Sequence, residues 1–195
     1  MELLELMKYR RSIRKYSDRQ VSKEDLQKII EAGEYAPNAG GGQRSIIVAV
    51  RNKQLAEQIG ILNLARFDRS RLIGSYVSKE QPSVIDDKSI KNGFYGAPCV
   101  CIIFTPKNFL YAVPDAFCCA ENMVLEATEL GISSCITARA EETFDNDIGR
   151  EMLTKWGIPE GFVARAFVLL GYCEGEYPKA KPRREGRVVV VDEDV

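Results

Sequence analysis

The sequence predicts an α+β domain built on a mixed sheet flanked by helices. Three observations carry this expectation. Short apolar runs rich in β-branched residues alternate with stretches of helical periodicity along the chain. The spacing of those runs is irregular, which a regular βαβ repeat would not give. A last run, Val188 to Val191, has no neighbouring run in sequence with which to pair.

The elements follow in order. Met1 to Met7 is amphipathic and acidic and reads as part of a first helix. Ser22-Lys-Glu-Asp25 is a capping-box-like start, after which Leu26, Ile29, Ile30 and Gly33 mark one helical face. Pro37 closes that segment. Ser45 to Val50 (SIIVAV) predicts a buried strand, and Lys53 to Leu62 a second helix. Arg66 to Asn92 is polar, charged and weakly periodic, a long loop of the kind that often forms a lid. Gly96-Ala-Pro98 breaks the chain before the strand Cys99 to Thr105 (CVCIIFT). The strongest helix opens at Pro114-Asp115, with Asp115 as N-cap, and ends at Leu130-Gly131, with glycine in the C′ position. Its interior is apolar on most sides, so it is expected to be buried in the core or against a second subunit. Cys135 to Ala138 predicts an extended segment, Phe144 to Trp156 a helix closed by Gly157 and Pro159, and Phe162 to Tyr172 a strand.

A chain of 195 residues, 45% hydrophobic and 28% charged, suits one domain spanning 1–195 with its own core. The net charge of -1 argues against a nucleic-acid binder, while leaving room for a local basic cluster that holds a small anion. No apolar run approaches the roughly 20 residues of a membrane span. The acidic N-terminus lacks the basic-then-apolar order of a secretory signal, which predicts a cytoplasmic protein. The six cysteines, Cys99, Cys101, Cys118, Cys119, Cys135 and Cys173, form no CxxC pair and read as reduced packing residues rather than metal or cluster ligands. Histidine is absent, which removes the commonest general base and zinc ligand. An enzyme of this composition is expected to delegate its hard chemistry to a cofactor.

Four motifs stand out. Arg10-Arg-Ser-Ile-Arg14 sets three guanidinium groups and a hydroxyl within five residues, which is either a solvated basic turn or a phosphate clamp. Ala36-Pro-Asn-Ala-Gly-Gly-Gly-Gln43 is either a flexible loop or a backbone surface on which a flat ligand rests. It is neither a P-loop nor a dinucleotide fingerprint. Glu129 to Thr137 carries a helix through glycine into an apolar strand, and Pro182-Arg-Arg184 is a second basic cluster.

Taken together and in order, these motifs resemble the nitroreductase family. The matching stretches are Arg10 to Arg14, Ala36 to Gln43, Asp115 to Thr137, Gly171-Tyr172 and Pro182 to Val191, spanning nearly the whole chain. The resemblance implies a three-layer sandwich with a mixed, mainly antiparallel sheet. It also implies a homodimer in which residues 173–195 form an arm on the partner. Arg10, Arg11, Ser12 and Arg14 would hold the phosphate and ribityl chain of FMN, with Arg183 and Arg184 adding to the clamp. Asn38, Ala39, Gly40 and Gly41 would border the flavin from the other subunit. Backbone N–H groups of Cys135, Ile136, Thr137 and Ala138 would line its N5 side, and Asn63 would lie near the pyrimidine edge. NAD(P)H would donate hydride and a small electron-poor acceptor, such as a nitroaromatic or quinone, would collect it in a ping-pong cycle. No side chain is required as general base; Tyr76, Tyr95 or solvent would supply a proton. Other uses of the same fold are dehalogenation, enone reduction and flavin breakdown, and a flavin-binding or redox-sensing module is the non-enzymatic rival. The chain departs from the family pattern where Asn38, Gly41, Arg44, Ser45 and Ile136 replace the usual residues, and these positions shape the acceptor face.

Overall fold

A computed structural model of the chain describes residues 1–68 and 77–192. Among the described residues six α-helices, α1 (Leu3–Tyr9), α2 (Lys23–Glu34), α3 (Lys53–Ala65), α4 (Ala112–Glu129), α5 (Ala140–Phe144) and α6 (Asp147–Lys155), surround four strands. The strands are β1 (Ile46–Val50), β2 (Cys99–Pro106), β3 (Ser133–Thr137) and β4 (Phe162–Gly171), in the spatial order β1-β2-β4-β3. All three ladders are antiparallel. Parallel pairing enters through an isolated bridge between Ser12 and Ser134, so the sheet is mixed only at its β3 margin.

Alternation along the central strands divides the core into two layers. Val100, Ile102 and Phe104 of β2 join Phe167 and Leu169 of β4 on the face covered by α3, α5 and α6. Cys99, Cys101 and Ile103 join Ala166, Val168 and Leu170 on the face covered by α2 and α4. A bulge interrupts the β2–β4 ladder: Ile103 pairs with Ala166 but Phe104 pairs with Ala164, leaving Arg165 as an extra residue. Arg165 turns this to use by donating to Glu141 Oε2 at 2.9 Å and to the Lys107 carbonyl at 2.7 Å.

The N-cap of α2 forms as its sequence implies, with the Ser22 hydroxyl accepting from Asp25 N–H at 2.9 Å. Gly33 lets α2 lie against α4, since a Cβ there would sit 2.8 Å from Met123 Cγ and 3.0 Å from Cys119 Sγ. Gly131, at φ 72°, ends α4 as a C′ residue does.

Four expectations need correction. Phe144 to Trp156 is not one helix: Asn146 leaves the helical region and caps Gly149 N–H with its own side chain, which separates α5 from α6. Asp115 is not the N-cap of α4, which begins at Ala112; Pro114 is tolerated within the first turn, where its missing N–H costs nothing. The strand at Ser45 to Val50 is an edge strand, mostly half-exposed rather than buried. Val188 to Val191 is not a strand; the valines are 69–84% exposed and pair with no described strand, and β-propensity without a neighbouring strand forms no ladder.

The six cysteines carry no disulfide; four are buried, and Cys118 and Cys173 are half-buried. Burial pushes the Cys119 thiol up to about 12. Among the described residues no helix is long and apolar enough to cross a membrane.

Candidate functional site

Residues 10–17 are held in place as an added margin of the sheet. Ile13 N–H donates to the Ser134 carbonyl at 2.9 Å, Tyr16 bridges to Cys173, and Ser17 N–H donates to the Tyr172 carbonyl at 2.9 Å. The arginine motif therefore lies along the outer edge of β3. Arg10, Arg11, Ser12 and Arg14 line one side of an open groove of about 520 Å³. Residues 77–80 and 178–183 line the rest, adding Lys79, Lys179, Lys181 and Arg183, with Glu80 as the opposing acid. Arg184 does not line it and is exposed.

The three arginines of the motif are not equivalent. Arg11 folds back on α1, its Nη1 donating to the carbonyls of Lys8, Tyr9 and Arg10 at 2.6, 3.0 and 2.7 Å. Those are carbonyls that a helix end leaves without intrahelical partners, so Arg11 is chiefly a C-cap. Arg10 and Arg14 have no such anchor; the contact of Arg14 with the Ser12 carbonyl is long, at 3.4 Å.

Gln81, which the sequence reading did not single out, ties the groove together. It is fully buried; its Oε1 accepts from Arg14 N–H at 2.7 Å, and its Nε2 donates to the carbonyls of Glu174 and Glu176 at 3.1 and 3.3 Å. Asp86 supports the same loop by accepting from the backbone N–H of Val77 at 2.7 Å and of Ser83 at 2.8 Å. Tyr177 stacks on Tyr9 with ring centroids 5.1 Å apart and accepts from Arg11 N–H at 3.1 Å, fixing the start of the tail.

The β3 segment leads away from this groove. Cys135 is buried, and its thiol is pushed up by that burial against the opposing influence of Arg14, Ser12 and Arg10. Ile136 and Thr137 are half-buried and Ala138 is exposed. Beyond them stands Arg139, also absent from the sequence reading. Asn63 is fully buried, with its amide donating to the Ala138 carbonyl and Thr143 Oγ1, each at 3.0 Å, and accepting from Arg139 Nη2 at 2.7 Å. Asn63 thus shapes the β3 exit rather than facing a groove. Tyr95 has a left-handed backbone at φ 57° and lies within electrostatic reach of both Arg14 and Arg139. Its hydroxyl is pushed up by burial, against a hydrogen bond from Val84 N–H and the two arginines, so it is protonated at neutral pH. Tyr76 lies outside the described residues.

The glycine loop is elsewhere. Asn38 lines a separate cleft of about 120 Å³ with Glu34, Gln43, Ser45 and Asp115. Ala39 to Gly41 forms one 3-10 turn, with Gly40 and Gly41 both at φ 60°. Asp115, 7% exposed, accepts from Ala39 N–H at 3.0 Å, and Asn38 Oδ1 accepts from Gln43 N–H at 2.8 Å. The loop is exposed at Gly40 and Gly41 and absent from the arginine groove.

Residues 7–172 match the Nitroreductase family. The chain belongs to that family. A protein of Archaeoglobus fulgidus with the provisional name NADH dehydrogenase/NAD(P)H nitroreductase is 31% identical over 179 residues, covering 90% of this chain and 87% of that one. A nitroreductase with bound FMN from Bacteroides fragilis superposes with a TM-score of 0.81 at 30% identity, over 98% of this chain and 100% of that chain. A second nitroreductase with bound FMN, from Desulfitobacterium hafniense, gives a TM-score of 0.78 at 27% identity, over 98% and 99% of the two chains. In this nitroreductase-family chain, several buried polar atoms along the groove and β3 have no hydrogen-bond partner: Arg11 Nε, Thr137 Oγ1 and Arg139 Nε. Orphaned donors of this kind beside a cationic groove fit a ligand that combines a phosphate with a polar ring.

Proposed function

We propose that the protein is an FMN-dependent NAD(P)H oxidoreductase that reduces nitroaromatics, quinones or similar electron-poor acceptors. The observation that carries this reading is the cationic groove of Arg10, Arg14 and Arg183 along the outer margin of β3, a strand whose far end carries unpartnered buried atoms at Thr137 and Arg139. The FMN-bound relatives that match almost the full length support it. When bound, FMN supplies the redox chemistry, taking hydride from NAD(P)H and passing it to the acceptor in a ping-pong cycle.

The chain's residues have separable tasks in this reading. Arg10, Arg14 and Arg183 hold the phosphate, with Arg184 nearby in the tail and Ser12 on the ribityl chain. Ile136, Thr137 and Ala138 present the backbone of β3 and its exit to the ring. Tyr95 keeps its proton at neutral pH and stands ready as a donor beside solvent. Asn38 to Gly41 lies away from its own chain's groove, so its contribution comes from a partner subunit, and a homodimer completes the site. The exposed tail valines and the exposed Phe117 and Val113 of α4 are the apolar surface such a dimer covers.

The test is spectroscopic. Purified protein supplied with FMN is expected to be yellow with a flavin absorbance band, to bleach anaerobically with NADPH or NADH, and to recover its colour on addition of a nitroaromatic. Protein that takes up no flavin refutes the reading. Bleaching without recovery by any nitroaromatic or quinone favours a redox-sensing module instead.

A further inference from the structure

Arg139 stands directly after β3 with φ 62° and ψ 31°, a left-handed conformation that a side chain bearing a Cβ adopts at a cost. Such a residue persists where its surroundings over-determine it. Here Asn63 does so, holding the Ala138 carbonyl with its amide nitrogen and the guanidinium of Arg139 with its oxygen at 2.7 Å. The guanidinium also lies over the Phe67 ring, 4.8 Å from its centroid.

The group so carefully placed is incompletely paired. Arg139 Nε is buried with no hydrogen-bond partner, and Arg139 forms no ion pair with a described residue; the charge of Glu142 reaches it only at longer range. Two residues earlier, Thr137 Oγ1 is also buried and unpartnered. A buried N–H donor left without an acceptor on a half-buried guanidinium is a costly arrangement unless a ligand supplies one. Tyr95 lies within electrostatic reach of Arg139, so a protonated hydroxyl and a cation stand near one another at the β3 exit.

The position along the strand says which part of a ligand is met. Ser134 pairs with Ser12 at the arginine groove. Arg139 lies five positions beyond Ser134, at most about 16 Å of extended chain. That is the order of the span of FMN from its phosphate to the pyrimidine end of its ring.

We propose that Arg139 binds the pyrimidine edge of the flavin and stabilises the negative charge that edge carries when FMN is reduced. This rests on the FMN reading above. Asn63 is the positioning residue that aims the guanidinium. Arg139 is thereby a determinant of how strongly the protein prefers reduced over oxidised FMN, and so of which acceptors it can reduce.

The experiment measures dissociation constants for oxidised FMN and for dithionite-reduced FMN, anaerobically, in the native protein, Arg139→Gln, Arg139→Lys and Arg139→Gly. The glycine variant removes the charge while suiting the left-handed backbone, which separates lost charge from lost fold. Arg139→Gln and Arg139→Gly are expected to weaken reduced FMN about tenfold more than oxidised FMN, equivalent to a fall of about 30 mV in the two-electron potential. Arg139→Lys is expected to restore most of that difference. Equal weakening of both forms, or none, in variants that still load FMN overturns the role of Arg139 while leaving the FMN reading intact. A native protein that takes up no FMN overturns both.

Discussion

At its β1 edge the sheet presents a glycine turn whose charges are tied up in hydrogen bonds, and at its β3 edge it presents an open cationic groove. The loop before β1 has Gly40 and Gly41 in left-handed conformations, and the buried carboxylate of Asp115 holds Ala39 in place from across the chain. The β3 edge is covered by Ser12 and Ile13, flanked by Arg10 and Arg14, and followed by Arg139 with an orphaned Nε. One edge has a glycine turn whose guanidinium, Arg44, is turned onto the Ala39 carbonyl at 3.0 Å and the Phe109 ring; the other has a groove of several cations and the unpaired donors. A phosphate clamp can be assembled within one chain because residues 10–14, 77–80 and 178–183 meet around Gln81. The glycine loop cannot join that clamp without a second copy.

The largest effect that separates the edges is expected from the tail. Deleting Lys181 to Val195 removes Lys181 and Arg183 from the groove together with the exposed valines. FMN affinity is expected to fall about a hundredfold or more, with light scattering showing a loss of dimer that added FMN partly reverses. A truncated chain that stays dimeric with native affinity would confine the site to residues before the tail.

Single arginines come next. Arg14→Ala is expected to weaken FMN roughly ten- to a hundredfold, the loss of one charge-assisted contact of about 1.5–3 kcal/mol. Arg11→Ala is expected to act mainly on stability, by about 1 kcal/mol, because its guanidinium caps α1. Fluorescence titration and thermal unfolding of the two variants distinguish these outcomes; identical losses of FMN affinity would show that the C-cap role is secondary.

At the opposite edge, Asp115→Ala leaves Ala39 N–H without its acceptor, and the unfolding free energy is expected to drop by about 1–3 kcal/mol. Asp115→Asn keeps an acceptor and is expected to lose less. Denaturant titration checks the order.

The smallest effect is a pH dependence. Burial works to raise the Asp86 carboxyl, but hydrogen bonds from Ser83, Val77 and Ser78 outweigh it and hold the group below the usual aspartate range. A carboxyl lowered by folding contributes stability above its unfolded value and loses it as the pH falls through the folded one. The 77–86 loop is therefore expected to resist proteolysis at pH 5 and to loosen only below about pH 4. Asp86→Asn is expected to lack that transition.

Much of the scaffold was legible because local chemistry and tertiary structure agree there. Ser22 caps α2 as its spacing implies, Gly131 ends α4, and the CVCIIFT run is the buried β2. The arginine motif likewise falls on one groove with Arg183. The misses share a cause. Asp115 has the composition of an N-cap, yet its carboxylate is claimed by a loop 76 residues away in sequence. Gln81 looks like one polar residue in a polar stretch, and only the approach of residues 14, 174 and 176 makes it a buried staple. Arg139 carries no local signature, because its conformation and its aim both depend on Asn63. The tail valines were read from β-propensity, which is realised only when another strand is within reach.

The bulge at Arg165 has a consequence for chain length. On either side of it, Ala164 faces the same core layer as Phe104, and Ala166 the same layer as Ile103. The residue between them is surplus to the ladder, so a chain shortened by that one position would keep every strand pair and every buried face. What it would lose is Arg165's half of the grip on Glu141, which Lys107 shares at the start of α5, two residues from Arg139. The extra residue thus acts as a tether from the sheet to the segment that carries that guanidinium.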